Sequence, residues 1–149
     1  MMMDSNAELY QTAATVFEEV GFMFLAAEKD SNEEPPMEAA VSVDFSGTPS
    51  GTLVIAAYGE ILPTLAANML GEDEPPSAEQ QQDALKEAAN IICGNVLPRI
   101  YGKANVFRLQ APKVINKEEA SEYLDRDSFA KTTLCLEEGL VKLVLCTGE

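Results

Sequence analysis

The sequence contains no histidine among its 149 residues. Histidine is the commonest general base and the commonest metal ligand in proteins. Its absence therefore excludes the usual serine and cysteine triads, and we predict no metal site. If the protein is an enzyme, its own carboxylates and amides must suffice, or a partner must supply the reactive groups.

Basic residues are also scarce, with 10 against 25 acidic ones, which gives a formal net charge of -15. Binding to nucleic acid or to an anionic membrane needs clustered Lys and Arg, so we exclude both as partners. No apolar run is long enough to span a bilayer, and no N-terminal signal pattern precedes a cleavage site. We expect a cytoplasmic protein.

Cysteine is limited to Cys93, Cys135 and Cys146, which form no CxxC pair. Three cysteines leave one over in any disulfide scheme. Such usage is typical of a reducing compartment, where thiols serve as small buried groups.

The hydrophobic fraction of 46% and the length favour a single domain spanning residues 1–149. Residues 7–27 have helical spacing, with an apolar stripe that ends at Val20 and Phe24. Two acidic, Pro-containing loops are predicted at 28–38 and 72–76. Between them, the spacing predicts a short helix over residues 60–70 that ends at Gly71.

Alternation at Val41, Val43 and Phe45 predicts a half-buried strand, joined through a turn at 47–51 to a second strand over 52–58. Short strands are predicted at 107–110 and 114–115, and the connection 116–127 has room for one or two helical turns.

The chain ends in a predicted hairpin with a turn at Glu138-Gly139, which would place Leu134 opposite Leu143 and Cys135 opposite Lys142. A disulfide between Cys135 and Cys146 is therefore not expected. The fold class is α+β, with an antiparallel or mixed β-sheet packed against long helices.

The most informative stretch is DALKEAANIICGN, residues 83–95, inside a helix that we expect to begin after an N-cap at Ser77, with Gln80 completing a capping box. At about 100° per residue, Asp83, Glu87, Asn90 and Gly94 fall within about 60° of one another. They form a polar ridge opposite the apolar face, which contains Leu85, Ile92 and Val96.

An outward Asp or Glu on a helix is usually just solvated, so the ridge needs more than charge to indicate function. Asn90 is a mediocre helix former in mid-helix, and Gly94 costs roughly 1 kcal/mol relative to Ala. Both fit a surface that a partner approaches closely, although Gly94 would equally permit tight packing within the chain. Ile91 borders the ridge and is a candidate apolar contact.

The pattern Asp83-x-x-x-Glu87-x-x-Asn90, followed by Pro112, resembles the signature of the CheC/CheX/FliY phosphatases. The continuation NIICGNVLPRI and the order of the flanking elements resemble the CheX branch in particular. The resemblance implies a CheC/CheX-like fold and an enzyme, a protein aspartyl-phosphate phosphatase that acts on a CheY-like response-regulator receiver.

By this resemblance, Asn90 orients a water in line with the phosphorus, and Glu87 pairs with a Lys of the receiver. Asp83, Ile91 and Gly94 would contact the partner. No cofactor of its own is implied, because the Mg²⁺ is expected on the receiver. The resemblance also implies a homodimer.

One alternative is a non-catalytic receiver-binding adaptor or flagellar-switch-like scaffold, which the retention of both Glu87 and Asn90 disfavours. Another, a small-molecule enzyme with Asp83 and Glu87 as paired acids, lacks any sign of a desolvated pocket. The segment Leu65-Ala-Ala-Asn68 echoes Glu87-Ala-Ala-Asn90, but Leu65 stands in place of the acid, so it is not predicted to be a site.

Overall fold

The computed structural model describes residues 4–26, 34–71 and 74–147. Within these ranges the strands form a six-stranded sheet in the order β3-β1-β2-β6-β5, with β4 also paired with β1, and its strand pairs are antiparallel. This confirms the predicted α+β class. The elements in chain order are α1 (Ser5–Gly21), β1 (Met37–Ser46), β2 (Gly51–Gly59), α2 (Ile61–Leu70), α3 (Ala78–Tyr101), β3 (Arg108–Leu109), β4 (Lys113–Ile115), α4 (Lys117–Asp125), β5 (Ala130–Leu136) and β6 (Gly139–Thr147).

Both faces of the sheet are covered. One face packs against α1, α2 and α3 in the larger core, and the other packs against α4 in a smaller one. Strand β2 shows the alternation, because Leu53 and Ile55 belong to the larger core whereas Val54 and Ala56 belong to the smaller. The three helices of the larger core therefore lie side by side on one face of the sheet.

The predicted half-buried character of the first strand is wrong. Ala40 and Ser42 are buried as fully as Val41 and Val43. The reason is α4, nine residues long in the connection 116–127, which packs Ala120 against the face that was expected to meet solvent. The hairpin between β1 and β2 is confirmed.

The N-terminal helix is shorter than the predicted 7–27. It ends at Gly21, where Phe22 adopts a left-handed conformation, and the N–H groups of Phe22 and Met23 donate hydrogen bonds to the carbonyls of Glu18 and Phe17 respectively. Phe24, predicted on the buried stripe, is exposed and lies beyond the helix. The chain is extended there, since Leu25 forms an isolated bridge with Leu136 of β5. Ala27 lies outside the described residues.

The terminal hairpin is confirmed, but its register differs by two residues from the prediction. Leu136 pairs with Gly139, so the turn residues are Glu137 and Glu138, and Leu134 pairs with Val141. A shift of two preserves the faces, and the leucines on this ribbon still point into the core. Cys135 faces Leu140 rather than Lys142, and all three cysteines are free.

The predicted ends of α2 are confirmed, with Gly71 in a left-handed conformation at its C-cap. Its start depends on a remote residue. Glu38 of β1 accepts hydrogen bonds from the backbone N–H groups of Ile61, at 2.7 Å, and Leu62, at 3.2 Å. A carboxylate beside the first turn of a helix also interacts favourably with the helix dipole.

The acidic loops are only partly described. β1 begins at Met37, so the loop predicted for 28–38 is too long at its C-terminal end, and residues 28–33 lie outside the described ranges. Residues 74–76 are irregular, as predicted, and 72–73 are not described. None of the helices in the described ranges is long and apolar enough to cross a membrane.

Candidate active site

Helix α3 begins with the capping box that the sequence predicts. The Ser77 hydroxyl accepts a hydrogen bond from the N–H of Gln80 at 3.1 Å, and the Gln80 side-chain oxygen accepts one from the N–H of Ser77 at 2.8 Å. These bonds satisfy two N–H groups at the helix N-terminus and fix where the helix starts. They therefore fix which residues of α3 face outward.

The inner face of α3 is fully packed, and this packing holds the helix in place. Burial raises the pKa of the Cys93 thiol to about 12, so it remains protonated and acts as a small apolar group. Near the C-terminal end, Arg99 Nε lies 2.9 Å from Oε1 of Glu8, a buried carboxylate of α1. The buried residues of this face are Ala84, Leu85, Ala88, Ala89, Ile92, Cys93, Val96 and Leu97.

The outer face of α3 brings the predicted site residues together. Asp83, Glu87, Asn90 and Gly94 are all exposed along one side of the helix, and we call this group the polar ridge. Because the inner face is packed, the ridge is displayed on a rigid element rather than on a loop. Rigid placement of this kind is what a group that must position a reactant requires.

The two functional groups of the ridge are not engaged within the protein. In the described ranges, neither the carboxylate of Glu87 nor the amide of Asn90 makes an ion pair or a side-chain hydrogen bond. Asp83 differs, because its Oδ1 lies 3.9 Å from Nζ of Lys86, a weak surface pair. Glu87 and Asn90 are thus available to a partner.

Gly94 is not required for packing inside the chain. A Cβ at this position would have Cδ2 of Leu109, 3.9 Å away, as its nearest contact, which is an ordinary van der Waals distance. Tight intramolecular packing therefore does not explain this glycine. Its effect is to leave a bare stretch of helix beside Asn90.

Ile91 is half-buried and packs against the larger core, so only part of its side chain is accessible beside the ridge. Pro112 lies in the short connection between β3 and β4, both of which pair with β1. Within the part of the chain that the structure describes, no group of three or more Cys, Asp or Glu side chains could hold a metal ion.

Sequence reasoning missed the residues that flank the ridge at the N-terminal half of α3. Met69 and Leu70, at the end of α2, line a hollow of about 240 Å³ together with Gln80, Asp83, Ala84 and Glu87 of α3. Leu70 is 44% exposed. An exposed Leu immediately before a C-cap Gly is a weak signal, and the approach of α2 to α3 that creates the hollow is a tertiary feature.

The fold and the site define a class of protein: an α+β domain that presents a carboxylate and a carboxamide on an open helical surface. Such a surface suits a macromolecular partner better than a small substrate, which usually needs a concave pocket. A family model described as chemotaxis phosphatase CheX matches residues 39–132, more than half of the chain, and this range includes the whole polar ridge. The chain belongs to this family and is a CheX-like member of the CheC/CheX/FliY group.

Solved structures of the same fold support this assignment. The chemotaxis protein CheX from Vibrio vulnificus has a TM-score of 0.72 and 14% identity, over 98% of this chain and 97% of that one. A chain of the CheX-CheY-BeF3-Mg+2 complex from Borrelia burgdorferi has a TM-score of 0.63 and 16% identity, over 98% and 99%. A chemotactic CheC-like protein from Shewanella oneidensis MR-1 has a TM-score of 0.65 and 16% identity, over 98% and 100%. No curated protein sequence matches the chain.

Proposed function

We propose that this protein is a phosphatase that hydrolyses the aspartyl phosphate of a CheY-like response-regulator receiver. The observation that carries the proposal is the pairing of Glu87 and Asn90, both exposed and unengaged, on the rigid outer face of α3. Membership of the chemotaxis phosphatase family and the likeness to a chain of a CheX-CheY complex support the same substrate.

In the proposed reaction, the oxygen of a water attacks the phosphorus while the bond from phosphorus to the receiver's aspartyl oxygen breaks. The products are inorganic phosphate and a free carboxylate on the receiver. The Asn90 carboxamide accepts one hydrogen bond from this water and can donate another, which holds the water in line without any change of charge. Positioning of this kind is a large part of catalysis in phosphoryl transfer.

Glu87 is proposed to bind the ammonium group of a receiver Lys and so to fix the placement of Asn90. A charge-assisted hydrogen bond of this type is roughly twice as strong as a neutral one. Asp83, already near Lys86, borders the contact and supports its orientation. The bare helix surface at Gly94 lets the receiver backbone approach, and Ile91 contributes an apolar contact.

The protein needs no cofactor of its own in this proposal, because Mg²⁺ bound to the receiver neutralises the charge on the phosphoryl group. The reaction is expected in the cytoplasm, in a chemotaxis or related two-component pathway.

We also propose that the protein forms a homodimer. The support is an open sheet edge: β4 pairs with β1 through Ala40 to Ser42, and within the described ranges nothing pairs with its other side. Val114 on β4 is 39% exposed. An unpaired edge with an apolar side chain favours strand addition. Light scattering after size-exclusion chromatography tests this, and a monomer at micromolar concentration would contradict it.

The phosphatase is tested by following phosphate release from a phosphorylated CheY-type receiver with Mg²⁺. Wild type should speed release above the receiver's spontaneous rate, whereas Asn90→Ala should return the rate to near the spontaneous one. An Asn90→Ala variant as active as wild type would remove Asn90 from the mechanism. Tight receiver binding without faster release, by wild type itself, would establish the second candidate, a non-catalytic adaptor.

A further inference from the structure

The hollow between α2 and α3 is continuous with the polar ridge, because Asp83 and Glu87 belong to both. Met69, Leu70 and Ala84 provide the apolar part of its lining, and Gln80, Asp83 and Glu87 provide the polar part. A ligand that fits must therefore combine an apolar group with a nearby positive charge.

The size of the hollow suits a side chain. Its volume of about 240 Å³ exceeds the roughly 150 Å³ cavity that is known to hold a benzene ring. Leu70 is 44% exposed, so part of its surface is still available for burial. A Met in the wall adds adaptability, because its flexible thioether can repack around groups of different shape.

We infer that this hollow receives an apolar side chain of the receiver that lies beside the Lys bound by Glu87, which makes Met69 and Leu70 specificity-determining residues. The inference rests on the proposed function, because it assumes that a receiver docks on the polar ridge. The reasons for choosing this occupant are that Glu87 belongs to both surfaces and that Asp83 and Glu87 in the lining are negatively charged.

Filling the hollow also strengthens the neighbouring ion pair. An apolar group seated against Leu70 excludes water from one side of Glu87, and an electrostatic interaction is stronger where water is excluded. The apolar contact and the ion pair should thus act together, and loss of the first should weaken the second.

The test compares Leu70→Ser with Leu25→Ser. Leu25 is a matched control, because it is the same residue type with nearly the same exposure, 43% against 44%, and it lies at the edge of β5, outside the lining of the hollow. Both variants are first shown to melt cooperatively. Binding is then measured by calorimetry to receivers from the same source, with beryllofluoride in place of the phosphoryl group, and phosphate release is measured as a function of receiver concentration.

Leu70→Ser should raise Kd and KM about five- to tenfold, because it removes the partly exposed apolar surface that the receiver buries. The value of kcat should stay within twofold, since the weakened ion pair is still formed in the saturated complex and still places Asn90. Leu25→Ser should match wild type, and the conservative Leu70→Met should keep Kd within twofold.

Wild-type Kd and KM for Leu70→Ser would overturn the inference and leave the phosphatase intact. If wild type binds the receiver without accelerating phosphate release, the proposed function fails. The Kd of Leu70→Ser then decides by itself whether the receiver places a side chain in the hollow. If wild type binds no receiver, the inference is overturned too.

Discussion

Helices α2 and α3 both contain the sequence Ala-Ala-Asn, preceded by Leu65 in α2 and by Glu87 in α3. In α2, Leu65 is fully buried, and Nδ2 of Asn68 donates a hydrogen bond of 2.5 Å to the carbonyl oxygen of Gly21. That bond ties α2 to the end of α1. In α3, Glu87 and Asn90 are both exposed.

The comparison shows that position on the helix face, rather than the tripeptide, determines what the asparagine does. Leu65 lies on the buried side of α2, and Asn68, on the same side, makes a hydrogen bond within the protein. Glu87 lies on the solvent-exposed side of α3, and the amide of Asn90 on the same side is available to a partner. In α2 the Asn68 amide therefore has a structural partner, the Gly21 carbonyl.

The largest expected effect comes from exchanging the first residues of the two segments. Leu65→Glu buries an unpaired carboxylate in the larger core and should destabilise the protein by more than about 4 kcal/mol, enough to prevent folding in many domains. Glu87→Leu, on the exposed ridge, should change the free energy of unfolding by less than about 0.5 kcal/mol. Urea denaturation measures both. A well-folded Leu65→Glu variant would show that burial of Leu65 is not what separates the two helices.

The next effect concerns docking. Glu87→Lys should weaken receiver binding by about 2 kcal/mol or more, roughly 30-fold, because it sets two positive charges together. Glu118→Lys makes the same change in net charge on α4, across the sheet from the ridge, and is the control. Calorimetry with a beryllofluoride-activated receiver gives both affinities. Equal weakening by the two variants would mean that overall charge, and not a pairing at Glu87, governs binding.

Replacing Asn68 and replacing Asn90 should have different effects on the free energy of unfolding. Asn68→Ala removes the hydrogen bond to Gly21 and should lower the free energy of unfolding by about 1–2 kcal/mol. Asn90→Ala loses no internal bond and introduces a better helix former, so its stability should equal or slightly exceed that of wild type. Denaturant unfolding of both variants under one set of conditions measures the difference. A larger loss for Asn90→Ala would show that its amide is structural.

The two glycines offer a finer contrast. Gly71 caps α2 at a φ of 67°, whereas Gly94 lies within α3, where a Cβ would meet only Cδ2 of Leu109 at 3.9 Å. Gly94→Ala should raise the free energy of unfolding by about 0.5–1 kcal/mol, while Gly71→Ala should lower it by a similar amount. Thermal unfolding measures both shifts. Destabilisation by Gly94→Ala would instead indicate an intramolecular packing role.

The smallest expected effect is a pH dependence of the free energy of unfolding, caused by Glu38 at the start of α2. Burial raises the pKa of Glu38 above its ordinary 4.5, and nearby Glu60 adds to this, although the hydrogen bonds from Ile61 and Leu62 oppose it. A raised pKa in the folded state means that the contribution of Glu38 is full below about pH 4.5 and is lost as the pH rises through the folded value.

The free energy of unfolding of wild type minus that of Glu38→Gln should therefore fall over this pH window and level off above it. Urea denaturation at a series of pH values measures it. A difference that grows as the pH rises would show that the hydrogen bonds to the helix dominate and that the pKa of Glu38 is lowered.

Most of the features that could be predicted from the sequence depend on interactions between residues close together in the chain. The capping box at Ser77 and the glycine at the end of α2 fix helix ends through neighbours in the chain, and the ridge follows from helical geometry alone. Features set by distant contacts were missed. The early end of α1, the burial of Ala40 in the core with α4, the register of the terminal hairpin and the hollow at Leu70 all depend on tertiary packing.

The unengaged amide of Asn90 is proposed to position the attacking water, and the whole mechanism depends on this role. The most direct test is a single-turnover measurement of phosphate release from a phosphorylated receiver with Mg²⁺, at concentrations of wild type, Asn90→Ala and Asn68→Ala that saturate the receiver, so that differences in affinity drop out. Asn68→Ala should keep the wild-type rate, and Asn90→Ala should lose about 100-fold or more, within the range of effects typical for removing a catalytic group. A rate for Asn90→Ala within a few-fold of wild type would contradict this role.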